Sequence, residues 1–204
     1  MAREAACHAE FVIIVDDGSH DGTWDAIKGL SRPIYPLRHC INMGKASALK
    51  TGCAVAVRLG AEIIVMMDAD GQHPPEYIPR LIAHMREKNI DFVFTERVNG
   101  DRMPFIRRMG NYAVNTAAFR FFGLRTRDLW CGFRAMRASC LPRVMWHARD
   151  YSGEVQMALA VGRRGIPYGT YPIPTIYEAG ASKGVHILHG LKLLVQMAVW
   201  RITL

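Results

Sequence analysis

Four carboxylates arrive in two tight clusters. Asp16 and Asp17 close the apolar run FVIIV (11–15), and Asp68 and Asp70 close the run EIIVMMD (62–68). Both continue into glycine turns, DDGSHDGT (16–23) and DADGQH (68–73). Carboxylate oxygens suit hard cations such as Mg2+ or Mn2+. Residues i and i+2 of extended chain point the same way, so Asp68 and Asp70 are expected to converge on one cation. Such a pair with open coordination sites is the kind that holds a substrate diphosphate. Turn chemistry alone accounts for either cluster in isolation. Two clusters at two strand ends in one short chain argue for a site.

Continuous apolar runs are the mark of strands covered by helices on both faces, so 11–15 and 62–68 read as buried parallel strands. Residues 45–59 read as a helix with Ala46, Leu49, Cys53, Ala54 and Val57 inward, stopped by Gly60. Pro74-Pro75 opens another, with Ile78, Leu81, Ile82 and Met85 inward. DFVFTE (91–96) reads as a third strand. Helices are expected over 104–122, with Ile106, Met109, Ala113, Ala117 and Phe121 inward, and over 153–164. A short strand follows near 168–173. The last 18 residues read as an apolar helix. Strands alternating with helices make an α/β layered domain, whose ligands bind beyond the carboxyl ends of the strands.

The 204 residues suit one domain, divided here into 1–184 and the apolar helix 185–204. A net charge of +8 points to a polyanionic partner without choosing one. The five cysteines, at 7, 40, 53, 131 and 140, form no CxxC pair, which reads as a reduced, cytoplasmic chain. No uncharged run reaches the ~20 residues of a membrane span, so any membrane contact is peripheral. An EF-hand beginning at Asp68 is excluded, because its sixth and twelfth positions hold His73 and Pro79. Gly44-Lys45 is not a P-loop, since no glycine stands five residues earlier and Ala46 follows. MMDADG also looks like the DxDG strand end of haloacid-dehalogenase-type phosphatases, with Asp68 as nucleophile, but Gln72 stands where Thr is expected.

The ordered blocks VDDGSHDGT (15–23), NMGKASALKTG (42–52), DADGQHPPEYIPRLI (68–82), CGFRAMR (131–137) and GASKGVHILHG (180–190) resemble the family-2 glycosyltransferases over nearly the whole chain. The branch they resemble most includes the polyprenyl-phosphate glycosyltransferases, of the dolichyl-phosphate mannose synthase type. The resemblance implies a GT-A, Rossmann-like fold and a divalent metal. The donor it implies is a nucleotide-diphosphate sugar, GDP-mannose or a UDP-sugar, and the acceptor is a polyprenyl phosphate at a membrane surface. It implies no nucleic-acid partner. By this resemblance Asp16, Asp17, Ser19, Gly44 and Lys45 line the nucleotide site. Asp68, Asp70 and Gln72 hold the metal, and Asp68 also faces the donor. Asp70 and Arg97 are catalytic, and Arg97, Arg107, Arg108 and Lys183 receive the acceptor phosphate. For the arginines, plain surface charge is the alternative. Glu154 is the remaining inward polar candidate, or else a first-turn carboxylate favoured at a helix start.

In the C-terminal helix, Ile187, Leu188, Leu191, Leu194, Val195 and Ala198 form one apolar stripe and Leu193, Met197, Trp200 and Leu204 another. With Trp200, Lys192 and Arg201 this suits a membrane interface, or else packing against the domain. The chain departs from the family in two places. Ten residues precede Phe11 where members have a strand and helix, and ten cannot make that unit. An N-terminally incomplete GT-A sheet, with unpaired strand edges and a reduced base pocket, is therefore expected. It carries a second reading, a truncated non-catalytic nucleotide binder. The family's Gly-Ser-Arg is also Thr95-Glu96-Arg97 here.

Overall fold

The computed structural model describes residues 1–98, 105–148, 152–174 and 187–203. In chain order the elements are α1 (Ala2–Ala5), β1 (Val12–Asp16), α2 (Thr23–Ile27), β2 (Ile34–Arg38), α3 (Lys45–Arg58), β3 (Ile63–Met66) and α4 (Ile78–Lys88). Then come β4 (Phe92–Val98), α5 (Phe105–Phe122), β5 (Arg134–Arg137), α6 (Leu141–Val144), α7 (Ser152–Arg163), β6 (Tyr168–Pro174) and α8 (Ile187–Thr203).

Strands β1, β3, β4, β5 and β6 alternate between the same two cores, as a period of two requires. Ile13 of β1, Ile64 and Met66 of β3, Phe92 and Phe94 of β4 and Met136 of β5 face one cluster, to which α3, α5, α7 and α8 contribute. Val12, Ile63, Val65, Val93, Ala135 and Ile173 face the other, with Ala5 of α1 and Ile78, Leu81 and Met85 of α4. The strands therefore occupy one layer between helices. The hydrogen-bond ladder within that layer is interrupted. β1 pairs only with β2, in parallel, while a second sheet has the order β3-β5-β4-β6. β5 runs antiparallel to both β3 and β4, and β4 runs parallel to β6. Three of the four strands in that sheet thus share a direction, with their carboxyl ends toward the DADG turn.

Two strands were not legible in advance. β2 carries Pro36 opposite Ile14, and a proline is tolerated because β2 lies at the edge. β5 carries Arg134, which is 1% exposed. Its guanidinium donates to the carbonyls of Leu129, Cys131 and Glu154 at 2.7, 2.9 and 2.6 Å and lies over the Phe94 ring. Helix faces also turn by about one residue from expectation. α3 buries Ala46, Cys53 and Ala56, leaving Ala54 and Val57 exposed. α5 buries Val114, Ala118 and Phe122, while Ala113 and Phe121 are exposed. Each helix offers two adjacent apolar stripes, and the neighbouring helices select one. α8 buries Leu193, Met197 and Trp200 against the core and exposes Val195 and Val199. Trp200, expected at a membrane interface, is a packing residue.

Candidate functional site

Three loops meet beyond the ends of β1 and β3. Gly18 makes the first approach possible. Its φ is +71°, and a Cβ there would lie 2.7 Å from the carbonyl carbon of Ile41, so the DDGS and NMGK loops touch backbone to backbone. Asp17 then fastens them. Its Oδ1 accepts from Met43 N at 3.0 Å and its Oδ2 from Gly44 N at 2.7 Å. His39, just past β2, places Nδ1 2.6 Å from Asp17 and Nε2 2.9 Å from Thr51 Oγ1. Burial opposes ionisation of Asp17, but these hydrogen bonds and the His39 charge outweigh it and hold the carboxyl below its ordinary range. Expected to line the nucleotide site, Asp17 spends both oxygens on the protein itself. His39 leaves no sequence signal, because the proline-bearing β2 that delivers it has no continuous apolar run.

Asp16 differs. It is 3% exposed, and its Oδ1 accepts from Ser19 N at 3.0 Å. Arg38 Nε lies 3.2 Å from Oδ2, an ion-pair contact without hydrogen-bond alignment. Asp16 Oδ2 is thus buried, with the Arg38 charge beside it and no hydrogen-bond donor among the described residues. Ser19 is half-buried beside it.

β3 ends at Met66, so Asp68 and Asp70 stand on a turn rather than on extended chain, and alternation does not aim them. Gly71, with φ +81°, bends that turn. Asp70 Oδ1 accepts from Gln72 N at 3.0 Å, which leaves the exposed side chain facing solvent. His73 buttresses the turn from beneath. Its Nδ1 accepts from Asp68 N at 2.9 Å, and its ring stacks on Phe133 at 5.3 Å. Desolvation holds His73 below its ordinary pKa against the pull of Asp68 and Asp70, so it serves as a neutral acceptor.

Lys45 opens α3 and crosses to the turn. Its Nζ is 2.7 Å from Asp68 Oδ1 and 3.1 Å from Glu154 Oε2. Burial would lower its pKa, but the Glu154 and Asp68 charges raise it above the ordinary value. Gly132 of the CGFR block lets the two carboxylates come together. A Cβ there would lie 2.9 Å from Glu154 Oε1 and 3.1 Å from Asp68 Oδ2. Glu154, with Arg134 holding its carbonyl, belongs to this cluster rather than to a simple helix start. The sequence offered it only as an inward polar residue.

Arg97 makes a bidentate pair with Asp128, Nε to Oδ2 at 2.6 Å and Nη2 to Oδ1 at 3.0 Å. That fork fixes the guanidinium. Thr95 instead donates to the Phe133 carbonyl at 2.6 Å, and Glu96 accepts from Arg127 N at 2.7 Å. Arg107 and Arg108 fall in α5, and their side chains, like Lys183, lie outside the described residues.

The donors fit a hard divalent cation by chemistry: Asp68, Asp70 and the Gln72 amide are oxygen ligands within one turn, and bare Gly132 leaves room beside Asp68. Asp68 is meanwhile engaged by Lys45, and no three His, Cys, Asp or Glu side chains converge on one point among the described residues.

The chain is 28% identical to the UDP-N-acetylglucosamine–dolichyl-phosphate N-acetylglucosaminyltransferase of Methanococcus voltae, covering 91% of this chain and 83% of that one. It is 31% identical to the undecaprenyl-phosphate mannosyltransferase of Micrococcus luteus, covering 84% and 74%. The fold matches glucosyl-3-phosphoglycerate synthase of Mycobacterium tuberculosis, solved with Mn2+, UDP-glucose and phosphoglyceric acid. That match has a TM-score of 0.64 at 17% identity, and covers 92% of this chain and 68% of that one. The architecture is the GT-A fold. The Glycosyl transferase family 2 profile spans residues 10–144, the stretch that contains both carboxylate turns, and the chain belongs to that family.

Proposed function

We propose that the protein is a metal-dependent, inverting glycosyltransferase that moves a sugar from a nucleoside-diphosphate donor to a polyprenyl phosphate. The observation that carries the reading is the Asp68–Asp70 turn facing Lys45 and the Asp17-fastened NMGK loop across one rim. The relatives that act on dolichyl and undecaprenyl phosphates support the acceptor class, and neither donor base is favoured.

In this reading the Asp16–Ser19 turn receives the nucleotide, and Asp17 shapes its pocket indirectly. Asp68, Asp70 and Gln72 would hold a divalent cation, which supplies Lewis-acid neutralisation of the diphosphate. An acceptor phosphate oxygen is already ionised near neutral pH, so no strong base is required. That oxygen forms a bond to the anomeric carbon as the bond to the diphosphate breaks, and the electron pair leaves with the nucleoside diphosphate. Attack opposite the leaving group inverts the configuration. Lys45 and Arg97 supply positive charge where two anions meet, with Arg107, Arg108 and Lys183 as further cations for the acceptor.

A peripheral membrane location fits an apolar acceptor. No described helix is long and apolar enough to cross a membrane. α5 and α8 do expose Tyr112, Phe119, Phe121, Val195 and Val199, an apolar surface suited to the interface.

The test is a transfer assay with polyprenyl phosphate, a panel of UDP- and GDP-sugars and Mn2+ or Mg2+. Asp68→Asn and Asp70→Asn are each expected to lower kcat by about two orders of magnitude, as loss of a preorganised charge does. Full activity in the double variant would overturn the mechanism. The interrupted ladder between β1 and β3 favours one second reading, a non-catalytic nucleotide binder. Calorimetric binding of UDP or GDP with Mn2+, without turnover on any donor, would select it.

A further inference from the structure

Lys45 is out of place as a helix residue. It is the first residue of the 14-residue α3, where the helix dipole disfavours a cation. What holds it is the carboxylate pair, with Nζ 2.7 Å from Asp68 and 3.1 Å from Glu154. The other oxygens of the same two carboxylates face the bare Cα of Gly132. Two negative charges therefore share one ammonium. Glu154 is the fixed member, 8% exposed on α7 with its carbonyl bonded by Arg134 at 2.6 Å. Lys45 is the adjustable member, a compact charge on a four-carbon stem.

We propose that Lys45 is the resident counter-cation of this site, and that Asp68 becomes a metal ligand by giving the ammonium up to Glu154. The inference rests on the reading of the turn as a divalent-metal site. It makes Glu154 a positioning residue, which keeps Lys45 within the site once Asp68 is engaged elsewhere. Lys45 and a metal ion then compete for the same carboxylate oxygen.

The test is Mn2+ binding to the full chain without nucleotide, read by loss of the free-ion EPR signal. Lys45 and Asp68 are each about a quarter exposed, so the lost competition is set at about tenfold, the equivalent of 1.4 kcal/mol. Lys45→Gln is expected to bind Mn2+ about tenfold more tightly than the wild type. Lys45→Arg, which keeps the charge, is expected to bind no more tightly. Lys50→Gln removes a charge from the same helix at a residue bonded to the Trp146 carbonyl, and is expected to change little. Equal or weaker binding by Lys45→Gln overturns the exchange, as does equal tightening by Lys50→Gln, which would report a general field. No Mn2+ binding by any of the four chains overturns the metal site itself. Lys45→Met repeats the measurement if the glutamine variant loses its cooperative melt.

Discussion

Asp17 shows how one side chain can be spent on holding a loop. Its two oxygens collect Met43 N, Gly44 N and His39, so it sets the shape of the loop that Lys45 follows. Its folded-state pKa lies below the ordinary value, so the unfolded chain takes up the proton first. The stabilisation is therefore present above about pH 4 and is lost as pH falls through the depressed folded value. Asp17→Asn is expected to cost about 1.5–3 kcal/mol at pH 7, as for hydrogen bonds to a charged group. In urea melts at pH 7 and pH 3, the gap between variant and wild type should narrow in acid. An unchanged gap would show that the carboxylate charge contributes nothing.

At the scale of elements, a glycine on α7 sets how closely that helix approaches the end of α5. A Cβ on Gly162 would lie 2.5 Å from the Phe122 carbonyl oxygen and 3.0 Å from Leu124 N. Both are backbone atoms that cannot swing aside. Gly162→Ala is expected to cost about 1–3 kcal/mol, a fall of roughly 3–10 °C in Tm for a chain of this size. Gly110 on α5 meets nothing within 4 Å, so Gly110→Ala should gain about 0.5–1 kcal/mol from helix propensity. A thermal melt of the two variants checks both signs. The same packing explains which helix faces were misread. Val114, Ala118 and Phe122 of α5 are buried in the core to which α7 and α8 contribute, a choice the helix's own pattern does not contain.

The whole molecule protects its thiols by layer. Cys53 lies in the core under α3, and burial pushes its pKa up to about 12. Burial likewise raises Cys131 and Cys140, while Cys7 and Cys40 are exposed. The thiolate is the reactive form. At pH 8, two thiols per folded chain are expected to react promptly with a disulfide reagent and five after denaturation. Prompt reaction of a third would mean that one core opens. The interrupted ladder belongs to this scale too. β1 and β3 face the same two cores yet do not pair.

Local order was legible because it is carried by local signals. The apolar runs of β1, β3 and β4, the helix after Pro74-Pro75 and the ordered acidic turns each lie within a short window of residues. They named the family and brought Asp16, Asp68 and Lys45 to attention. Contacts between distant segments were decided by the tertiary structure. Asp17 meets His39, Glu154 meets Lys45, and Arg97 meets Asp128 across separations of 22, 109 and 31 residues. Such pairs leave no periodicity behind, because each partner's position is fixed by the packing of its own element. The sequence by itself thus determined the fold class and which turns carry charge. Folding alone decided which of those charges meet a partner across the chain and which stay exposed.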